Sequence, residues 1–154
     1  MPEWKTHLPK DDNEYFERMS RAIFQAGLNW KMIENKWTDF REAFSDFSIE
    51  KLAKLGERDV RALMKNKGIV RNEKKIRAMV LNAQASLRVK KEFCSFRQYI
   101  DSFGQDHDGL IADLRQRFRH LGPSSSRVFL MMSGVKLAPT KEELQWHVKA
   151  RKKD

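Results

Sequence analysis

The chain has 154 residues, 40% of them hydrophobic, and a formal net charge of +10, which suits one apolar core beneath a strongly basic surface. We expect a single domain over residues 1–154 with a basic tail at 149–154, and a polyanionic partner unless the charge serves solubility alone. The lone Cys94 excludes an intrachain disulfide, and no apolar run suits a signal peptide or a membrane span. These features favour a cytoplasmic monomer without a membrane partner, associated with the nucleoid if the source is a prokaryote.

Apolar residues recur at helical spacing through the chain, and strand-like alternation is nearly absent. The sequence therefore predicts an all-α, single compact domain of about eight short helices. Polar caps at Asp11-Asp12-Asn13, Ser48 and Asn72 mark helix starts, and Gly27 and Gly68 mark helix ends. In chain order the predicted helices cover residues 13–26, 30–47, a short stretch after 48, 59–67, a long stretch from 72 past 87, 95–103, 110–119, 124–133 and a last one opened by 139–140.

A tight turn at residues 121–126 separates two of the predicted amphipathic helices. Gly122 is expected to adopt a positive φ that uncovers backbone amides, and Pro123 suits the first position of the next helix. Amides at that helix N-terminus lie at the positive end of the helix dipole and suit a phosphate. The pattern predicts a helix-hairpin-helix element that holds the DNA backbone without reading bases, with an ordinary packing corner as the alternative. The candidate phosphate ligands are Gly122, Ser124, Ser125, Ser126 and Arg127, with Arg115, Arg117 and Arg119 adding charge nearby.

The segment Phe24-Gln25-Ala26-Gly27-Leu28-Asn29-Trp30 resembles the Gln-Ala-Gly-Leu-Ser-Trp segment of the 3-methyladenine DNA glycosylase I family. Further motifs follow in the family's order, among them Gly68-Ile69-Val70-Arg71-Asn72 and His120-Leu121-Gly122, and together they span residues 13–135. The resemblance implies a monofunctional enzyme of base-excision repair that acts on double-stranded DNA containing alkylated bases. Such an enzyme flips an alkylated purine, chiefly 3-methyladenine, and hydrolyses its N-glycosidic bond with water and no cofactor.

The same resemblance assigns roles to the residues around Trp30. Trp30 would stack on the extruded base, with a plain core position as the alternative, and Gln25 and Asn29 would join it in binding the base. Leu28 would act as the wedge that fills the space left by the flipped nucleotide. No lysine is evidently placed as a Schiff-base nucleophile, so we expect no lyase activity.

The chain departs from the family in its metal site and its acidic residues. The family's zinc site uses Cys and His near both ends, whereas here Cys94 is alone and the four histidines lack metal-ligand spacing. We therefore expect no bound metal. Ala22 stands where the family has a pocket glutamate, and no Asp follows the hairpin helix where the wider superfamily has a catalytic one.

Glu34 lies four residues after Trp30 and is the candidate catalytic carboxylate, because the two share a helix face. Burial among aromatic neighbours would strengthen its attraction to a cationic base. The alternative is an exposed Glu34 paired with Lys31 or Lys36. The missing glutamate also favours a second function, a catalytically inactive DNA-binding protein that recognises lesions or DNA structure. A helical module that binds another protein is the third candidate function.

Overall fold

The computed structural model describes residues 7–142, 144 and 145; the predicted basic tail at 149–154 lies outside them. The described residues form eight α-helices up to residue 132 and one 3-10 turn, with further helical residues at 141, 142, 144 and 145, and contain no strand, which confirms the predicted all-α class. The helices are α1 (Asp12–Gln25), α2 (Trp30–Ala43), α3 (Ile49–Ala53), α4 (Glu57–Leu63), α5 (Glu73–Phe93), α6 (Phe96–Asp101), α7 (His107–Arg117) and α8 (Pro123–Met132), and the 3-10 turn is Ser45–Phe47.

The helix starts follow the local capping chemistry of the sequence. The Asp11 carboxylate accepts a hydrogen bond from Glu14 N, the Ser48 hydroxyl accepts one from Lys51 N, and the Asn72 carbonyl accepts one from Lys75 N. Each cap satisfies an amide that has no partner within its helix, a contribution of about 1 kcal/mol. The three predicted caps are thus confirmed.

Helix α1 is the central helix of the fold. Ten of its 14 residues are buried, and it packs against α8, α5 and α2. An aromatic cluster covers one side of α1, with Trp37 stacked between Phe40 and Phe47 and with Phe24 edge-on to Phe40. Burial of this many rings fixes the C-terminal end of α1, where Ala22 lies, as a rigid base for the exposed surface beside it.

A buried arginine joins the start of the described chain to the end of α8. Arg18 is 3% exposed, and its guanidinium donates to the carbonyl of Met132 at 2.6 Å and to that of His7 at 2.8 Å. The N-terminal segment is thereby joined to the end of α8. Within residues 7–142, 144 and 145, no cluster of three or more His, Cys, Asp or Glu side chains is arranged to hold a metal ion. In that same part of the chain, no helix is both long and apolar enough to cross a membrane.

Candidate functional site

A cavity of about 290 Å³ lies between the C-terminal end of α1, the start of α2 and the N-terminus of α8. It brings together two segments that are about a hundred residues apart in the sequence. Its walls are therefore built from the Gln-Ala-Gly segment on one side and the hairpin on the other. The lining residues are Ala22, Gln25, Ala26, Gly27, Trp30, Gly122, Pro123, Ser124, Ser125 and Val128.

The hairpin between α7 and α8 reverses the chain at His120 and not at Gly122. Gly122 is the N-cap of α8 with φ −87° and ψ −176°, so the predicted positive φ is wrong. The left-handed residue is His120, with φ 60°. An N-cap needs extended backbone, which moves the reversal to the residues before it. A Cβ at Gly122 would meet no heavy atom within 4 Å, so neither close packing nor backbone conformation requires a glycine at this position.

The N-terminus of α8 borders the cavity through Ser124, which is exposed, and Ser125, which is buried. Ser126 N makes the first intrahelical hydrogen bond, to Gly122 O at 3.0 Å, which leaves the Ser124 and Ser125 amides without intrahelical acceptors. The Ser125 hydroxyl accepts a hydrogen bond from Gly122 N at 3.0 Å and so holds the turn closed. Ser126 is fully buried, with its amide used, so this predicted phosphate ligand is not accessible to a phosphate.

Only some of the arginines expected to add charge around the hairpin are exposed to solvent. Arg115 and Arg119 are exposed. Arg117 instead pairs with Glu92 at 2.9 Å and with Asp113 at 2.6 Å. The hydrogen bond from Arg117 to Glu92 raises the pKa of the Arg117 guanidinium. The carboxylates of Glu92 and Asp113 offset the positive charge of Arg117. Arg127 is half-buried and donates to a backbone carbonyl of the segment that follows α8, at 3.0 Å.

A buried side-chain amide on α5 forms hydrogen bonds to the backbone of the hairpin. Asn82 is 1% exposed; its side-chain nitrogen donates to Arg119 O at 3.0 Å, and its side-chain oxygen accepts from Arg119 N at 2.7 Å. Phe118 and Leu121, on either side of this contact, are buried in the core. The polar character of Asn82 at a core-facing position of an amphipathic helix is the signal that marks it in the sequence.

The loop between α1 and α2 presents its side chains to solvent. Trp30 is 47% exposed at the start of α2 and lines the cavity, so a core position is excluded, and the buried tryptophan of this helix is Trp37. Leu28 is 36% exposed after Gly27, which adopts φ +75°. The Asn29 carbonyl accepts from two amides of α2 and caps that helix, so only its amide nitrogen is left for other partners.

Gln25 gives the cavity a polar group of its own. It is 2% exposed, and its side-chain amide oxygen is buried without a hydrogen-bond partner in the part of the chain that the structure describes. An amide oxygen in this state carries a desolvation cost of about 1–3 kcal/mol. The oxygen itself is buried, so a ligand N–H group in the cavity would reach it only after the Gln25 side chain turns.

Glu34 lies outside the cavity lining. It shares α2 with Trp30 as predicted, but it is exposed, so the expected burial is not found. Across residues 7–142, 144 and 145, it makes no ion pair within 4.0 Å, and the pairing with Lys31 or Lys36 is absent. Its charge acts on the buried Arg21. Burial lowers the pKa of that guanidinium, and the Glu34 carboxylate partly opposes this effect.

The methyladenine glycosylase family model matches residues 2–128. The chain belongs to the methyladenine glycosylase family. It is 36% identical over 104 residues to a DNA-3-methyladenine glycosylase of Haemophilus influenzae, covering 68% of this chain and 56% of that protein. It is 33% identical over 93 residues to DNA-3-methyladenine glycosylase 1 of Escherichia coli, covering 60% and 50%. This methyladenine glycosylase family member thus spans about half the length of the curated relatives it matches.

Solved structures of the family have the same fold. The 3-methyladenine DNA glycosylase I of Staphylococcus aureus superposes with a TM-score of 0.76 at 27% identity, covering 89% of this chain and 85% of that one. A variant of 3-methyladenine DNA glycosylase I in complex with 3-methyladenine also gives a TM-score of 0.76, at 28% identity, covering 89% and 86%. Against this family, Ala22 is notable because the position expected to carry the pocket glutamate is on the cavity wall.

Proposed function

We propose that this protein is a monofunctional DNA glycosylase that removes an alkylated purine, chiefly 3-methyladenine, from double-stranded DNA. The observation that carries the proposal is the cavity shared by the Gln-Ala-Gly segment and the hairpin, because a flipped base must leave the stack beside a held phosphate. The names of its relatives, DNA-3-methyladenine glycosylases, support the same substrate. A net charge of +10 favours the DNA backbone as partner.

The proposed complex uses the two walls of the cavity for different tasks. The turn at Gly122 and the amides of Ser124 and Ser125 bind a phosphate at the positive end of α8, and Arg127 lies one turn further along that helix. Leu28 enters the duplex and replaces the extruded nucleotide. The backbone contacts fix the register, and the cavity supplies the selection of the base.

The base lies against Trp30, whose exposed ring supplies a stacking surface at the cavity edge. An alkylated purine that carries positive charge gains from the face of an indole ring, by about 0.5–2 kcal/mol. The Gln25 side chain turns its unpartnered amide oxygen towards the base and accepts a hydrogen bond from the amino group of the base. Asn29 contributes its amide nitrogen only, because its oxygen caps α2. Positive charge on the base already weakens its glycosidic bond, so electrostatic stabilisation of modest size suffices for hydrolysis by water.

Glu34 stays our predicted catalytic carboxylate, acting through its charge on the helix that carries Trp30. Its exposure reduces the strength expected of that charge, because water screens it. Glu34→Gln removes the charge and keeps the shape. We expect slower excision of 3-methyladenine by this variant, and an unchanged rate removes Glu34 from the mechanism.

The function is tested by incubating the protein with methylated duplex DNA and identifying the free bases that are released. We expect 3-methyladenine as the main product, with DNA strands that stay intact until alkali is added. Strand breaks before alkali, or a lysine trapped on the DNA by borohydride, would show a lyase and contradict the monofunctional assignment. Heat-denatured protein serves as the control for spontaneous depurination.

A second function is favoured by one observation. Ala22 is on the cavity wall, and the residues that line the cavity include no Asp or Glu among those the structure describes. A protein with this wall can retain DNA recognition without catalysis. Tight binding to a duplex with an abasic site, together with no release of any base, is the outcome that supports this alternative.

A further inference from the structure

The loop at residues 26–29, which joins α1 to α2, carries the proposed wedge residue Leu28 and is exposed throughout. The hydrogen bonds within the loop and its immediate neighbours fix only its local conformation. Gly27 turns it through a left-handed conformation, and Leu28 N donates to Gln25 O at 2.9 Å. Asn29 belongs to the cap of α2. A loop that must enter a DNA duplex needs support from the rest of the fold, because local bonds alone leave the direction of Leu28 undetermined.

Lys75 supplies a contact to this loop from a distant part of the sequence. Its ammonium nitrogen lies 3.2 Å from the carbonyl oxygen of Ala26, which is 49 residues earlier in the chain. Lys75 sits in the first turn of α5, where its own amide is held by the Asn72 cap. The side chain therefore starts from a rigid point and ends on the loop, and Ala26 also lines the cavity.

Partial burial acts on this contact in two ways, since it disfavours the charged ammonium but weakens the screening of its hydrogen bond. Lys75 is half-buried, and burial lowers the pKa of its ammonium group. A charged donor facing a carbonyl forms a stronger hydrogen bond than a neutral one. Ala26 follows the last turn of α1, where the helix dipole favours a cation. The neighbouring Lys74 is exposed and sits on the same helix turn, so it is a matched control.

We infer that Lys75 is a positioning residue for base extrusion, which holds the loop at 26–29 so that Leu28 enters the duplex in register with the cavity. This inference rests on the proposed function. The plain alternative is that Lys75 only caps the end of α1 and stabilises the fold. The two differ in outcome, because a positioning role depends on how hard the target base is to extrude, and a capping role does not.

The test compares Lys75→Met, Lys75→Arg and Lys74→Met in single-turnover excision of 3-methyladenine. One duplex holds the lesion in a base pair, and a second holds it opposite an abasic site, where extrusion is easier. We expect Lys75→Met to be roughly ten- to hundredfold slower on the paired lesion, the range that one charged hydrogen bond supports. On the second duplex the loss should shrink several-fold. Lys75→Arg should recover most of the rate, and Lys74→Met should match wild type.

An equal loss on both duplexes, or no loss on the paired lesion, overturns the inference and leaves Lys75 as a cap. Duplex opening is also measured without cleavage, from the fluorescence of 2-aminopurine placed opposite the lesion. The inference is supported if the wild-type protein opens the duplex and Lys75→Met does not, while both bind DNA with equal affinity. This holds even where no base is released. In that case the proposed glycosylase activity fails while the role of Lys75 stands, so the two failures are distinguishable.

Discussion

Asn82 pairs with both backbone polar groups of Arg119, donating to its carbonyl at 3.0 Å and accepting from its amide at 2.7 Å. The two residues are 37 positions apart, one in the buried middle of α5 and the other in the hairpin. A side-chain amide that reproduces a backbone pair in this way fixes the distance between helix and hairpin. The buried Asn82 side chain thus helps to set the position of the hairpin relative to α5, together with the buried side chains of Phe118 and Leu121.

Asn82→Ala is expected to weaken DNA binding. The substitution leaves the amide and carbonyl of Arg119 without partners, at a cost of about 1–3 kcal/mol, so the hairpin moves or loosens. We expect about a tenfold loss of affinity for an abasic-site duplex, measured by fluorescence anisotropy, and a lower free energy of unfolding in urea. Gln84→Ala is the control, because Gln84 on the same helix donates to the Ala53 carbonyl, away from the hairpin. Equal affinity of Asn82→Ala and wild type would contradict the assigned role.

Trp30→Ala is expected to reduce excision of 3-methyladenine at least tenfold with little change in melting temperature. The ring is 47% exposed, so its removal costs the fold little, while the base loses its stacking surface. Trp37 offers the contrast, since it is 4% exposed in the aromatic cluster and its truncation should cost about 3–5 kcal/mol of stability. The assignment fails if excision by Trp30→Ala, measured in single turnover, equals that of wild type.

Ala22→Glu is expected to shift selection towards cationic bases. A carboxylate on the cavity wall attracts a positively charged purine, and the weak screening inside a cavity strengthens that attraction. We expect a higher ratio of kcat/KM for 3-methyladenine over a neutral lesion such as hypoxanthine, and a lower melting temperature from the burial of charge. Ala22→Gln is the matched neutral control. An equal ratio in both variants would show that the base does not contact this wall.

The two adjacent serines of α8 should behave differently. Ser126→Ala is expected to leave DNA affinity unchanged and the free energy of unfolding equal or higher, because the buried hydroxyl has no partner among the described residues. Ser125→Ala removes the acceptor for Gly122 N and should cost about 1 kcal/mol of stability and weaken DNA binding. Binding by anisotropy and unfolding in urea separate the two. A larger binding loss for Ser126→Ala would reverse our assignment.

Features that depend on residues close together in the sequence were easier to predict than features that depend on tertiary packing. The caps at Asp11, Ser48 and Asn72 act within a few residues, so the sequence predicts them correctly. The conformation of Gly122 also looks local, but the prediction of a positive φ is wrong because the cap of α8 required extended backbone there. Turn composition alone does not say which residue of the turn takes the left-handed conformation.

The assembly of the site required tertiary information. The meeting of Gln25 with Ser124 in one cavity follows from the packing of α1 on α8, which no local pattern specifies. The exposure of Glu34 and the burial of Ser126 are likewise set by which helix face meets the core. Lys75, which contacts Ala26, belongs to the basic stretch at residues 71–75. The sequence of that stretch is typical of a solvent-exposed helix face, so it does not indicate the contact.

The most direct test of this account is a crystal structure of the protein soaked with free 3-methyladenine. We expect the base in the cavity between α1 and α8, with its ring against Trp30 and a nitrogen within hydrogen-bond distance of the Gln25 amide. Binding of the base at another place, or an empty cavity at a base concentration that saturates binding in solution, would contradict it.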